Sequence, residues 1–153
     1  MTSTGLQAID HTIHETNEWL KDLMYEMAWE DRQLAYKGLR AVLHALRNRL
    51  TPEEAAHTGA QLPLLIRGIF YEGWNPARAP EKIRDQKGFF TRVRENLDGE
   101  TTAGRTDPET LCRAVFKLIR HRISTGQVKD IEAGLPPELA DLWPRNPEAE
   151  RNA

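Results

Sequence analysis

Leu39-Arg40-Ala41-Val42-Leu43-His44-Ala45-Leu46-Arg47-Asn48-Arg49-Leu50-Thr51-Pro52-Glu53-Glu54 decides the fold. Leu39, Val42, Leu43, Leu46 and Leu50 recur at the i, i+3, i+4, i+7 spacing of an amphipathic helix, which gives a core-facing stripe. The next residues open a second helix. Thr51 is a hydroxyl cap, Pro52 takes the first helical position, and Glu54 at the third can reach back to the cap's own amide.

The same arrangement returns 73 positions later. Without a gap, Arg40-Ala41-Val42 falls on Arg113-Ala114-Val115, Arg47 on Arg120, Arg49 on Arg122, Ala60 on Ala133 and Leu62-Pro63 on Leu135-Pro136. Cys112, Val115, Phe116, Ile119 and Ile123 repeat the apolar stripe, and Ser124-Thr125-Gly126-Gln127 repeats the capping box. Such periodicity is the mark of internal duplication. The helices that start at these caps should end by Gln61 and Gly134, because Pro63 and Pro136 disfavour α geometry in the residue before them. Short helices over 63–70 and 136–143 are expected to follow.

Outward from this pair, Trp19, Leu20, Leu23 and Met27 predict an opening helix over 16–27, and 89–97 predicts its counterpart, three residues out of register. The extra loop from Asp98 to Asp107 can absorb that offset. No segment alternates apolar and polar residues between turn signals, so no strand is expected. The expected architecture is all-α: a compact helical bundle made of two tandem repeats of about 70 residues, three to four helices each. One domain over 9–144 would hold unit one at about 14–71, a linker at 72–87 with Gly73, Pro76 and Pro80, and unit two at about 88–144. Residues 1–8 and 145–153 are expected to be flexible tails.

At 153 residues the chain can bury one substantial core, and 29% charged against 39% hydrophobic residues is a globular balance. It carries neither a leader pattern nor an apolar run of membrane-spanning length. The lone Cys112 excludes an internal disulfide, so a cytoplasmic location is expected. The net charge of -2 hides strong segmentation. Residues 1–30 carry six acids and one base, whereas 31–50 carry five bases and one acid; 113–129 carry five bases and no acid, and 130–153 carry six acids and two bases.

The segments Asn17-Glu18-Trp19-Leu20, Ala41-Val42-Leu43-His44, Gln61-Leu62-Pro63 and Tyr71-Glu72-Gly73-Trp74-Asn75-Pro76, with the later Leu142-Trp143-Pro144, carry a family resemblance. Over roughly residues 14–144 the chain resembles the bacterial family catalogued as domain of unknown function 2267. The resemblance implies a helical, duplicated domain. That family has no established activity, so no catalytic residue comes with it.

Four arginines form the leading candidate site. Arg40 and Arg47 lie seven apart on one helix, hence on nearly one side, and Arg113 and Arg120 reproduce that placement. They could bind an anion or an acidic partner, or be neutralised internally by the acidic opening helix and the acidic tail. The loop Tyr71, Glu72, Gly73, Trp74 and Pro76 reads as a structural staple or a docking element. Glu54 and His57 have the i, i+3 spacing of carboxylate-bridged metal sites. The copy replaces them with Gln127 and Asp130, which argues against a metal there. His11 and His14 are a second i, i+3 pair, without the further ligands a metal site needs. Cys112 lies on an apolar stripe, where a thiol is ordinarily inert. No nucleophile elbow, phosphate-cradling loop or dinucleotide fingerprint is present.

No catalytic, metal or cofactor site is therefore expected. The expected function is a non-enzymatic module for protein–protein interaction or self-association. The alternative is a binder of a small molecule, metal or nucleic acid or other anion, using the duplicated arginines or a cleft between the units. Net negative charge and the lack of a reader motif disfavour nucleic acid.

Overall fold

A computed structural model describes residues 4–97 and 106–145. Among these residues every regular element is helical: α1 (Gln7–Met27), α2 (Arg32–Arg49), α3 (Pro52–Ala60), α4 (Leu64–Tyr71), a single 3₁₀ turn (Pro76–Arg78), α5 (Gln86–Asn96), α6 (Pro108–Arg122), α7 (Thr125–Ala133) and α8 (Pro137–Ala140). None is long and apolar enough to cross a membrane.

The sequence stripes become the core. Leu39, Val42, Leu43 and Leu46 of α2 are fully buried, and so are Leu111, Cys112 and Val115 of α6. They join Trp19, Leu23, Phe70, Phe89, Phe116 and Ile119 in one contiguous apolar cluster. Each such side chain contributes roughly 1.5–3 kcal/mol on burial. α2 is central: it packs on α1, α4, α5 and α6, while α1 also bridges to α4 and α6. Trp143, beyond α8, stacks on Phe116, ring centroids 4.4 Å apart and 3° from parallel.

Helix boundaries follow the caps. Asp31, Asp85 and Asp107 accept amide hydrogen bonds at the starts of α2, α5 and α6. Thr51 accepts from the Glu54 amide and Ser124 from the Gln127 amide, both at 3.2 Å. α3 and α7 stop at Ala60 and Ala133, and Pro63 and Pro136 stand as the N-caps of α4 and α8.

Several expectations need correction. The capping boxes form by half: Thr51 and Ser124 accept, but among the described residues neither the Thr51 amide donates to Glu54 nor the Ser124 amide to Gln127. The Glu54 carboxylate instead lies over Gly134 at the end of α7, close enough that a Cβ there would meet it. α1 starts nine residues before Thr16, at Gln7, so its first two residues fall within the expected tail. Its core face extends backward through Thr16 and Thr12, and Asp10 accepts from the Thr4 amide and hydroxyl at 2.8 and 2.9 Å. α8 ends at Ala140, and turn bonds from Leu142 to Leu139 and from Trp143 to Ala140 carry the chain onward. The connection over 72–87 is fastened to α2: the Glu81 amide donates to the Asn48 carbonyl at 2.7 Å, and Arg49 Nε to the Ile83 carbonyl at 2.7 Å. The expected loop over 98–107 and the tail over 145–153 lie largely outside the described residues.

Candidate functional site

The last four carbonyls of a helix have no partner within it, and at the end of α4 two side chains of α2 help to supply them. His44 Nε2–H donates to the Ile69 carbonyl at 2.7 Å. Arg47 Nη1 donates to the carbonyls of Phe70 and Glu72, at 3.0 and 2.7 Å. The Trp74 amide takes the Tyr71 carbonyl at 3.0 Å, closing a turn with Glu72 at φ -54, ψ 121 and Gly73 at φ 72. Those angles make a type II turn, which requires positive φ at its third residue and so selects glycine. Both buried groups respond to their setting. Burial, ahead of the neighbouring arginine charges, pushes His44 below its ordinary pKa, so the neutral ring is favoured. Burial, then the Arg40 charge, lowers Arg47 as well.

The motif loop is held by its own aromatics. Tyr71 donates its hydroxyl to the Ala55 carbonyl at 3.3 Å and packs against Trp74, centroids 5.4 Å apart. Its ring crosses α3 so closely that a Cβ at Gly59 would stand 2.2 Å from the hydroxyl. Glu72 receives two bonds of 3.1 Å from Arg40 Nε and Nη2. That hydrogen bonding, then the Arg40 charge, holds Glu72 below the usual carboxylate range.

Beyond Arg47 the folded-back connection encloses a polar cavity of about 170 Å³, lined by Arg47, Asn48, Gly73, Asn75, Arg78, Ala79 and Glu81. Asn48, Asn75, Arg78 and Glu81 were not among the sequence candidates. They come from a helix end and an aperiodic connection, and only the fold-back brings them beside Arg47.

The second pair of arginines engages the segment downstream of its own helix. Arg113 lies 3.2 Å from Glu109 and donates to the Asp141 carbonyl at 3.4 Å. Arg120 donates to the Pro144 carbonyl and stands 3.6 Å from Glu132. The acids of α1 go elsewhere: Asp22 pairs with Arg122, and Glu26 with Lys117 at 3.0 Å. The two pairs thus engage two separate loops.

α3 and α7 meet, bringing Glu54, His57 and Thr58 opposite Gln127, Asp130 and Ile131 around a cavity of about 150 Å³. Gln127 and Asp130, which stand 73 positions after Glu54 and His57, therefore face them across one space. No group of three or more His, Cys, Asp or Glu is placed to hold a metal among the described residues. Cys112 is fully buried, and burial pushes its thiol far above the usual range.

One further feature had no sequence signal of its own. Leu6 at the N-cap of α1, Ile9 and Ile13 within it, and Leu64 and Leu65 of α4 are exposed, Leu6 by 63% and Leu64 by 56%. The Leu65 amide donates to the Thr12 hydroxyl at 2.9 Å, so the start of α4 lies within a turn of Ile9 and Ile13. Farther along α1 the same flank is covered, with Leu20 at 6% exposure.

No curated protein matches the chain. Residues 16–142 match the family described as "Uncharacterized conserved protein (DUF2267)", which takes in every element from most of α1 to the turn beyond α8. The chain belongs to the DUF2267 family of uncharacterized conserved proteins.

Proposed function

We propose that this chain is a non-enzymatic helical interaction module that pairs with a second copy of itself through the open end of α1 and the start of α4. One observation carries the reading. Of the seven large hydrophobic residues exposed among the described ones, five (Leu6, Ile9, Ile13, Leu64 and Leu65) belong to this one edge. Exposed apolar residues scattered singly are ordinary, whereas a contiguous group marks a surface that something covers. The occupant follows from the spacing. Steps of three and then four residues read as four and three in the opposite direction, so two antiparallel copies of α1 set Leu6 against Ile13 and bring Ile9 beside its own counterpart. That is the self-complementary contact a twofold pair needs.

We also infer that α2–α4 and α6–α8 descend from one duplicated unit. Supporting this are the 73-residue register, the paired caps Thr51 and Ser124, the paired stops Pro63 and Pro136, and the downstream carbonyls gripped by Arg47 and Arg120. The arginines serve the loops of each unit in this account, and the apolar edge serves the partner.

The test places charge on the edge. Ile9→Glu with Ile13→Glu alters two exposed positions, so helicity and melting temperature should hold while gel filtration shifts to the monomer. A well-folded double variant that elutes as the wild type does would overturn the proposal.

A further inference from the structure

The polar cavity lies at the other end of α4 from the apolar edge and takes no part in the pairing. On its α2 side is Arg47, only 4% exposed. Its Nε is occupied by the Asn48 side-chain oxygen at 3.0 Å and its Nη1 by two carbonyls, while Nη2 makes no hydrogen bond among the described residues. A guanidinium fixed on two sides presents its third nitrogen without an ordering cost. Arg78 enters from the 3₁₀ turn, exposed, with no ion pair among the described residues. The amide of Gly73, third in its type II turn, has no acceptor among the described residues either. Glu81 is the single acid in the lining, and Arg92 Nη2 stands 2.9 Å from its carboxylate. Arg40 and Glu72, next to Arg47, offset each other. The lining is therefore net positive.

We propose that this cavity is an oxyanion site that takes a phosphate group, as inorganic phosphate or as the phosphate of a small phosphomonoester. Residues that carry N–H donors line it from three chain segments: Arg47 and Asn48 at the end of α2, Gly73 in the turn, and Asn75 and Arg78 at the 3₁₀ element. A planar carboxylate is satisfied by one guanidinium fork, whereas donors spread over three directions suit a tetrahedral oxyanion. At about 170 Å³ the space admits the phosphate with a small substituent.

Amide NMR of the full chain tests the site, with inorganic phosphate, glycerol 3-phosphate, acetate, and sodium chloride at matched ionic strength added in turn. Inorganic phosphate and glycerol 3-phosphate should shift the Gly73, Asn75 and Ala77 signals saturably, and tighter binding of the ester would assign the site to phosphomonoesters. Arg78→Ala removes an exposed, unpaired side chain, so spectral dispersion should persist while affinity falls by about tenfold. No saturable shift at Gly73, equal shifts with acetate or sodium chloride, or undiminished binding in Arg78→Ala would overturn the proposal.

Discussion

Arg47 Nη1 stands 2.7 Å from the Glu72 carbonyl, so a side chain of α2 closes the end of α4 and fixes the turn that follows. Replacing Arg47 with Met keeps much of its apolar stem and strips the buried Phe70 carbonyl and the part-buried Glu72 carbonyl of their donor. The expected loss is about 2–4 kcal/mol of unfolding free energy. Arg47→Lys, with one ammonium where a fork is needed, should lose less but still measurably. Urea denaturation checks both, and a wild-type midpoint in Arg47→Met would mean that Arg47 does not hold the end of α4.

Ala28 ends α1 in the left-handed region, at φ 52, while the Trp29 amide reaches the Met24 carbonyl at 2.9 Å. This closure normally uses glycine, since a Cβ there costs about 1 kcal/mol. Ala28→Gly should therefore raise stability by about 0.5–1 kcal/mol, visible as a higher urea midpoint with an unchanged slope. A destabilised variant would mean that the Ala28 methyl contributes more by packing than its backbone angle costs.

His44 should make the fold sensitive to acid. Its ordinary pKa is 6.5, and burial lowers it in the folded chain, where it donates to Ile69 beside Arg47, Arg40 and Glu72. Above the ordinary value both states hold a neutral ring and the full contribution is present. Below it the unfolded chain binds the proton first, so stability falls as pH drops toward the folded value. His44→Gln keeps an N–H donor and cannot titrate in this range. Between about pH 7.5 and about pH 5.5 the wild type should lose more unfolding free energy than His44→Gln. An equal loss in both proteins would assign the acid sensitivity to other groups.

Local signals in the sequence placed much of this architecture. The stripes of α2 and α6, the caps Thr51 and Ser124, and the stops Pro63 and Pro136 each depend on residues within one or two turns, and the structure has these features where those residues stand. The start of α1 was hidden because Thr12 and Thr16, though polar, lie on its buried face, with the Thr16 hydroxyl bonded to the Thr12 carbonyl. Pairings between distant segments had no local mark. Nothing near Glu54 announces Gly134, nothing near Arg47 announces Arg78, and Ile9 and Leu65 become neighbours only once α4 returns to α1. The arginine spacing was legible, yet its use was not: whether Arg47 faces solvent or its own backbone depends on where the connection after α4 folds back.

Self-pairing through the α1–α4 edge is tested most directly by the mass of the wild-type chain in sedimentation equilibrium, followed from micromolar concentration upward. With a closed twofold contact the mass rises to twice the 17.5 kDa of one chain and no further. A mass that stays at 17.5 kDa across the whole range would contradict it.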